Sequence, residues 1–305
     1  MIKGKFPNDK FEQLETPFYY YDMELLRKTL IAITKETENK PFHVHYALKA
    51  NFNPIILKEI ASFGFGADCV SGNEILRAIE CGFDPSKIAF AGVGKTDKEI
   101  NIGLDNNIFC FNVESIPEIE VINKLAEKKG KIASVALRIN PNVDGRTHKY
   151  ITTGLYENKF GINEQDLPKT IQTVKSSPNI KLIGIHFHIG SQITDLTSFE
   201  DLCVKVKSIR NWFKQEGIDL PVFNVGGGLG INYQHPNHFP MADFESYFRL
   251  FEKYLDLWEN QTLHFELGRS VVAPCGSLIS RAVFIKEGIK KNFLIIDAGM
   301  TDLIR

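Results

Sequence analysis

Between residues 43 and 266 the chain alternates strand-like and helix-like segments about eight times, and this rhythm limits its fold more than any other feature. Runs rich in β-branched and aromatic residues fall at 43–47, 66–70, 88–91, 108–112, 134–139, 182–188, 222–225 and 263–266. Helical periodicity fills the gaps, as at 72–80, 115–129, 166–175, 198–215 and 242–258. Strands separated by helices imply a parallel sheet. Eight such units favour closure into an α/β (β/α)8 TIM barrel over an open doubly wound sheet. No G-x-G-x-x-G opens the first helix, which argues against a dinucleotide fold. The expected barrel covers residues 22–268. Before it, Phe18-Tyr19-Tyr20-Tyr21 reads as a strand, and Asp22 is placed to cap a helix. After it, 277–287 and 292–296 read as strands with no helix between them. Residues 1–21 and 269–305 are therefore expected to form a partial, β-rich second domain. Two or three strands do not make an independent domain, so its remainder is expected to lie outside this sequence.

Composition narrows the function. The 305 residues carry a formal net charge of -1, which leaves no basic footprint for nucleic acid or an anionic membrane. No apolar run reaches the roughly 20 residues that span a bilayer. Met1-Ile2-Lys3-Gly4-Lys5 lacks an apolar signal core. The five cysteines, Cys69, Cys81, Cys110, Cys203 and Cys275, are scattered without a C-x-x-C pair, as suits a reducing cytoplasm. Cys110, inside an apolar run, reads as a small core hydrophobe.

Barrel active sites lie at the C-terminal ends of the strands. Those ends supply Lys49, Asp68, Arg138, the segment from His186 to Gln192, the glycines 226–228, and Glu266-Leu267-Gly268-Arg269. A lysine at a strand end is ordinarily a solvated charge. Partly desolvated, it becomes a Schiff-base nucleophile. Gly226, Gly227 and Gly228 are either a flexible turn or an approach of backbone N–H groups to an anion. Gly268, Arg269 and Ser191 nearby favour a phosphate. His186 and His188 lie two apart on one strand and face one way. They read as a metal pair, as an imidazole stacked on a planar ring, or as one core and one mouth histidine. Glu266 is able to pair with a protonated ring nitrogen or with a neighbouring cation. The stretch 140–158 is long for a loop in a compact domain and is expected to belong to the site.

These residues together carry a likeness. Tyr46-Ala47-Leu48-Lys49-Ala50-Asn51, the segment 186–192, the glycine triplet and Glu266-Leu267-Gly268-Arg269 resemble the alanine-racemase-fold enzymes that use pyridoxal 5'-phosphate (PLP). Arg138-Ile139-Asn140-Pro141-Asn142-Val143-Asp144, Thr147-His148, Lys159-Phe160-Gly161 and Asp297-Ala298-Gly299-Met300-Thr301-Asp302-Leu303-Ile304-Arg305 are similar to the diaminopimelate decarboxylase family within that group. The likeness runs from about Thr16 to the last residue. It implies that Lys49 joins PLP as a Schiff base, that His188 stacks on the pyridine ring, and that Glu266 keeps the ring nitrogen protonated. It implies a phosphate cradle of Ser191, Gly226, Gly227, Gly228, Gly268 and Arg269, with Asp68 and Arg138 close to the cofactor. Arg269 and Arg305 would bind substrate carboxylates, where a guanidinium fork suits better than an ammonium.

The implied reaction is decarboxylation of meso-2,6-diaminopimelate to L-lysine, in a cytoplasmic homodimer with shared active sites. The family usually has proline where Leu267 stands. It also continues past Arg305 into a β domain that carries a cysteine near acidic residues and a tyrosine, so this sequence is expected to lack the proton donor. Three other readings remain: a non-catalytic PLP-binding relative, a decarboxylase of ornithine or arginine, and a metal-dependent barrel hydrolase built on His186 and His188.

Overall fold

The computed structural model describes residues 6–143, 145 and 159–304. The strands are β1 (Phe18–Tyr21), β2 (Phe42–Ala47), β3 (Gly66–Cys69), β4 (Ile88–Phe90), β5 (Cys110–Val113), β6 (Ala133–Arg138), β7 (Ile180–His186), β8 (Val222–Asn224), β9 (Thr262–Leu267), β10 (Gly276–Ile279), β11 (Ala282–Lys286) and β12 (Phe293–Ile296). β2 to β9 form a closed parallel barrel in chain order, sealed where β2 pairs with β9. The expected (β/α)8 architecture is therefore present.

The helices around the barrel begin where the sequence supplies acceptors for their free N–H groups. Asp22 accepts from Leu25 N–H, Ser71 from Glu74 N–H, Ser115 from Glu118 N–H and Asp243 from Ser246 N–H. Thr96 and Glu99 cap each other's backbone at the start of the helix Asp97–Asp105. Each helix lays an apolar stripe on the sheet. In Met23–Thr37, Leu26, Leu30 and Ile33 are fully buried, each contributing about 2 kcal/mol by leaving water. The main core fills this layer between strands and helices.

A smaller cluster, Ala89, Cys110, Ala136, Ile183 and Val222, lies apart from it. Period two puts Cys110 on the same side of β5 as Asn112, and Ala136 on the same side of β6 as Arg138. Apolar side chains thus plug the barrel interior just beneath its polar upper rim. Below them His45 and His264 form a buried pair. His45 Nδ1 lies 3.0 Å from the Lys87 carbonyl, His45 Nε2 2.8 Å from His264 Nδ1, and His264 Nε2 3.0 Å from Thr262 Oγ1.

Outside the barrel, β1 pairs antiparallel with β10, and β11 pairs with β12. The expected single strand over 277–287 is two strands. The break comes at Arg281, whose N–H donates to the Asp297 carboxylate at 2.9 Å and whose carbonyl accepts from Asp297 N–H. Thr16 Oγ1 also donates to Asp297, and Tyr19 OH donates to the Asp302 carbonyl, which ties the first strand to the tail. Every residue of β11 and β12 is exposed.

Candidate active site

Lys49 leaves β2 on a single 3-10 turn, Leu48–Ala50. Leu48 is buried and Tyr46 donates its hydroxyl to the Asn51 carbonyl at 2.9 Å, which fixes the turn. Lys49 Nζ donates to Asp68 Oδ2 at 3.1 Å across the barrel mouth. Half of the Lys49 side chain faces open cavity, whereas Asp68 is completely enclosed. The Asp68 carboxylate raises the Lys49 ammonium above its ordinary value, although burial opposes this. The partial desolvation expected of a Schiff-base lysine is opposed here by the counter-charge 3.1 Å away, which outweighs it.

Glu266, near the end of β9, is the centre of a buried polar knot. Oε1 accepts from Asn112 Nδ2 at 3.0 Å and from Asn224 Nδ2 at 2.8 Å. Oε2 accepts from His186 Nε2 at 3.0 Å. Burial alone would push this carboxyl up. The His186 imidazole, by charge and hydrogen bond, and Lys49 hold it well below the usual carboxylate range.

His186 and His188 have separate tasks. His186 is committed to Glu266. His188 lines the cavity, with Nδ1 3.4 Å from Gly227 N–H, and burial keeps its imidazole neutral well below the usual histidine value. Among the described residues no group of three His, Cys, Asp or Glu side chains is placed to hold a metal ion.

The glycine triplet is dictated by close backbone approach. A Cβ on Gly227 would lie 1.8 Å from the Glu266 carbonyl oxygen, and one on Gly226 2.3 Å from the Phe187 oxygen. Gly226 N–H donates to Asn224 Oδ1 at 2.8 Å. Two of the three amides therefore face the chain's own acceptors, and Gly228 is the member that lines a cavity of about 730 Å3. Ser191, Gly268 and Arg269 line it too. Arg269 donates from Nε to Ser191 Oγ at 3.4 Å and from Nη1 to Tyr233 OH at 2.6 Å. A second cavity of about 500 Å3 shares Lys49, His188 and Glu266 with the first.

Arg138 closes that second cavity. It donates to Glu114 Oε1 at 2.8 Å and its guanidinium lies 4.7 Å from the centre of the Phe160 ring. Glu114 also accepts from Gly92 N–H and Gly161 N–H. Beside it, buried Lys95 pairs with Glu118 at 2.6 Å. Two cations and two anions thus brace the loops after β4 and β6. Arg305 lies outside the described residues, as do residue 144 and the stretch 146–158 of the long loop.

This mouth fits PLP: an amine beside a carboxylate, an anchored glutamate, a flat-faced imidazole, and an arginine with a serine beside close-packed glycines. Residues 24–273 match the pyridoxal-dependent decarboxylase, pyridoxal binding domain family. The chain is 57% identical over 305 residues to the diaminopimelate decarboxylase of Bacteroides thetaiotaomicron, covering 100% of this chain and 79% of that protein. The chain belongs to the diaminopimelate decarboxylase family.

Other members agree in sequence and shape. The diaminopimelate decarboxylase of Aquifex aeolicus is 39% identical over 306 residues, 100% of this chain and 71% of that one. The crystal structure of diaminopimelate decarboxylase from Helicobacter pylori complexed with L-lysine superposes with a TM-score of 0.91 at 38% identity, covering 98% of this chain and 74% of that one. PLP is accordingly the cofactor of this diaminopimelate decarboxylase relative. No described helix is long and apolar enough to cross a membrane.

Asn112, Glu114, Asn224 and His186's attachment to Glu266 were not anticipated from the sequence. The available signal was parity: Asn112, Arg138, His186 and Asn224 are polar residues near strand ends on the inward side.

Proposed function

We propose that the chain decarboxylates meso-2,6-diaminopimelate to L-lysine and carbon dioxide. The observation that carries this reading is the convergence of Lys49, His188 and Glu266 on one mouth, with Asp68 bonded to Lys49 from within and Arg269 and Ser191 beside it. Bound PLP supplies an electron sink for the pair left behind when the substrate's α-carboxylate departs as carbon dioxide.

The chain's residues do the rest. Lys49 would supply the amine that holds the cofactor aldehyde, and Asp68 balances the charge of that amine and orients it. Glu266, held as an anion, favours a proton on the ring nitrogen. Neutral His188 presents its face to the ring without competing for that charge. Ser191, Gly226, Gly227, Gly228, Gly268 and Arg269 shape the phosphate end, with Gly228 at its lining. Arg138 lines the smaller cavity, whereas Ser191, Gly228 and Arg269 line the larger one. Arg269 and Arg305 are the proposed carboxylate partners of the substrate.

The barrel spans 22–268 in this reading, and 1–21 with 269–305 contribute to a second, β-rich unit. The working form is a homodimer with shared sites, in a reducing cytoplasm that suits five buried cysteines. Carbon dioxide release from meso-diaminopimelate, compared with ornithine and arginine, tests the substrate. Release from ornithine or arginine alone would overturn the reading. Sedimentation tests the dimer. Replacing Arg305 by Ala is expected to raise KM about tenfold or more while PLP binding stays unchanged. Equal loss of both would remove Arg305 from the substrate's side.

A further inference from the structure

Glu266 receives more support than a single ring contact explains. All four members of its knot are buried: Asn112, His186, Asn224 and Glu266 itself are at most 5% exposed. Two neutral amides converge on the same oxygen, Oε1. An amide NH2 group donates at every pH and accepts nothing. With two N–H groups already on Oε1, a proton placed there would meet donors instead of an acceptor. The amides therefore favour the carboxylate over the acid, independently of the imidazole on Oε2.

The amides cannot turn over. Asn224 Oδ1 accepts from Gly226 N–H at 2.8 Å, and Asn112 Oδ1 accepts from the Cys110 thiol at 3.6 Å. Flipping either side chain would set its oxygen against the carboxylate, and for Asn224 it would also set the NH2 against the Gly226 N–H. Asn224 thereby fastens Glu266 to the first glycine of the triplet. The imidazole is less constrained: among the described residues His186 Nδ1 is buried without a hydrogen-bond partner.

We propose that Asn112 and Asn224 are positioning residues that keep Glu266 ionised and aimed at the ring nitrogen of PLP, and that Asn224 also couples this aim to the glycine turn. The inference rests on the reading of Glu266 given above. Neither amide touches the reacting atoms; both act through the carboxylate.

The test compares Asn112→Leu, Asn224→Leu and the double variant as PLP-loaded enzymes. Leucine keeps the approximate volume and removes the donor. Each single variant is expected to lose about 10–100-fold in kcat, the range for losing an outer-shell partner. KM should stay within about threefold, because ground-state binding is not what the amides serve. The 15N resonance of ring-labelled PLP should move toward the unprotonated pyridine position, most in the double variant. Variants that retain the parent kcat and 15N resonance would overturn the proposal, even if their melting temperature falls. Asn112→Asp supplies a second arm with unchanged shape. It sets an acceptor against Oε1, so one proton must be shared between the carboxyls. Its kcat should fall more at high pH than at low pH, and a profile matching the parent overturns the proposal. Glu266→Gln separates the two levels. If it leaves the 15N resonance in place, the underlying role of Glu266 fails. If it moves the resonance and the asparagine variants do not, only the positioning role fails.

Discussion

Lys49 and Asp68 form a pair whose two halves pull on different events. The carboxylate keeps the amine charged and oriented, yet the amine must be neutral to attack an aldehyde. Asp68→Asn is therefore expected to lower the pH at which PLP is taken up, and stopped-flow uptake against pH measures this directly. An unchanged profile would mean that Asp68 is not what raises the amine. Lys49→Ala should lose covalent attachment altogether: after borohydride reduction, peptide mass spectrometry finds PLP on Lys49 in the parent and none in the variant, with decarboxylation at background. Gly227→Ala is expected to cost more than about 3 kcal/mol in urea unfolding, because the added carbon meets the rigid Glu266 carbonyl at 1.8 Å. At this scale the sequence was informative wherever a residue's chemistry is unusual for its place. A lysine and a glutamate at adjacent strand ends stand out. Asn112 does not, because its meaning lies in a hydrogen bond to a residue 154 positions away, and only the barrel register brings them together. The glycine triplet reads from the sequence as a flexible turn or an anion cradle, not as a close approach to the chain's own Glu266 and Phe187 carbonyls. That Gly226 N–H is consumed by Asn224 was not legible either, since the acceptor is a side chain two residues earlier whose direction depends on the strand's parity.

Elements are stabilised by small local devices, of which the start of Asp97–Asp105 is the most complete. Thr96 Oγ1 and Glu99 Oε2 cap each other's residues, and Glu99 Oε1 also accepts from Gly72 N–H at 3.1 Å, which links this helix to its neighbour. Thr96→Ala should cost about 1 kcal/mol and lower the melting temperature by about 2 °C without altering kcat. Calorimetry and a steady-state assay on one preparation decide it. Strand and helix existence could be read from period and caps. Boundaries could not always be read. β11 is separate from β10 because the Arg281 backbone turns to Asp297, sixteen residues on, and no local propensity encodes that exchange.

For the molecule as a whole, the imidazoles on the barrel floor set an acid limit. Burial pushes His45 down to about 4, against about 6.5 in an unfolded chain. The neutral form is thus favoured by folding. Its contribution is complete above about pH 6.5 and is lost as pH falls from there toward 4, amounting to about 3 kcal/mol for this one ring. His264, lowered by burial and by His45, adds in the same direction. Urea midpoints at about pH 7.5 and about pH 5 should differ clearly in the parent and less in His45→Leu. A parent midpoint independent of pH would contradict the neutral pair.

The ribbon of β11 and β12 has a practical outcome of its own. Phe284, Ile285 and Leu294 are each more than 60% exposed, and the other apolar side chains of both strands also meet solvent. Any form of the protein that leaves this greasy strip bare should light up hydrophobic dyes with its barrel intact, stick to chromatography resins and precipitate from concentrated stock, and a form that covers it should do none of these.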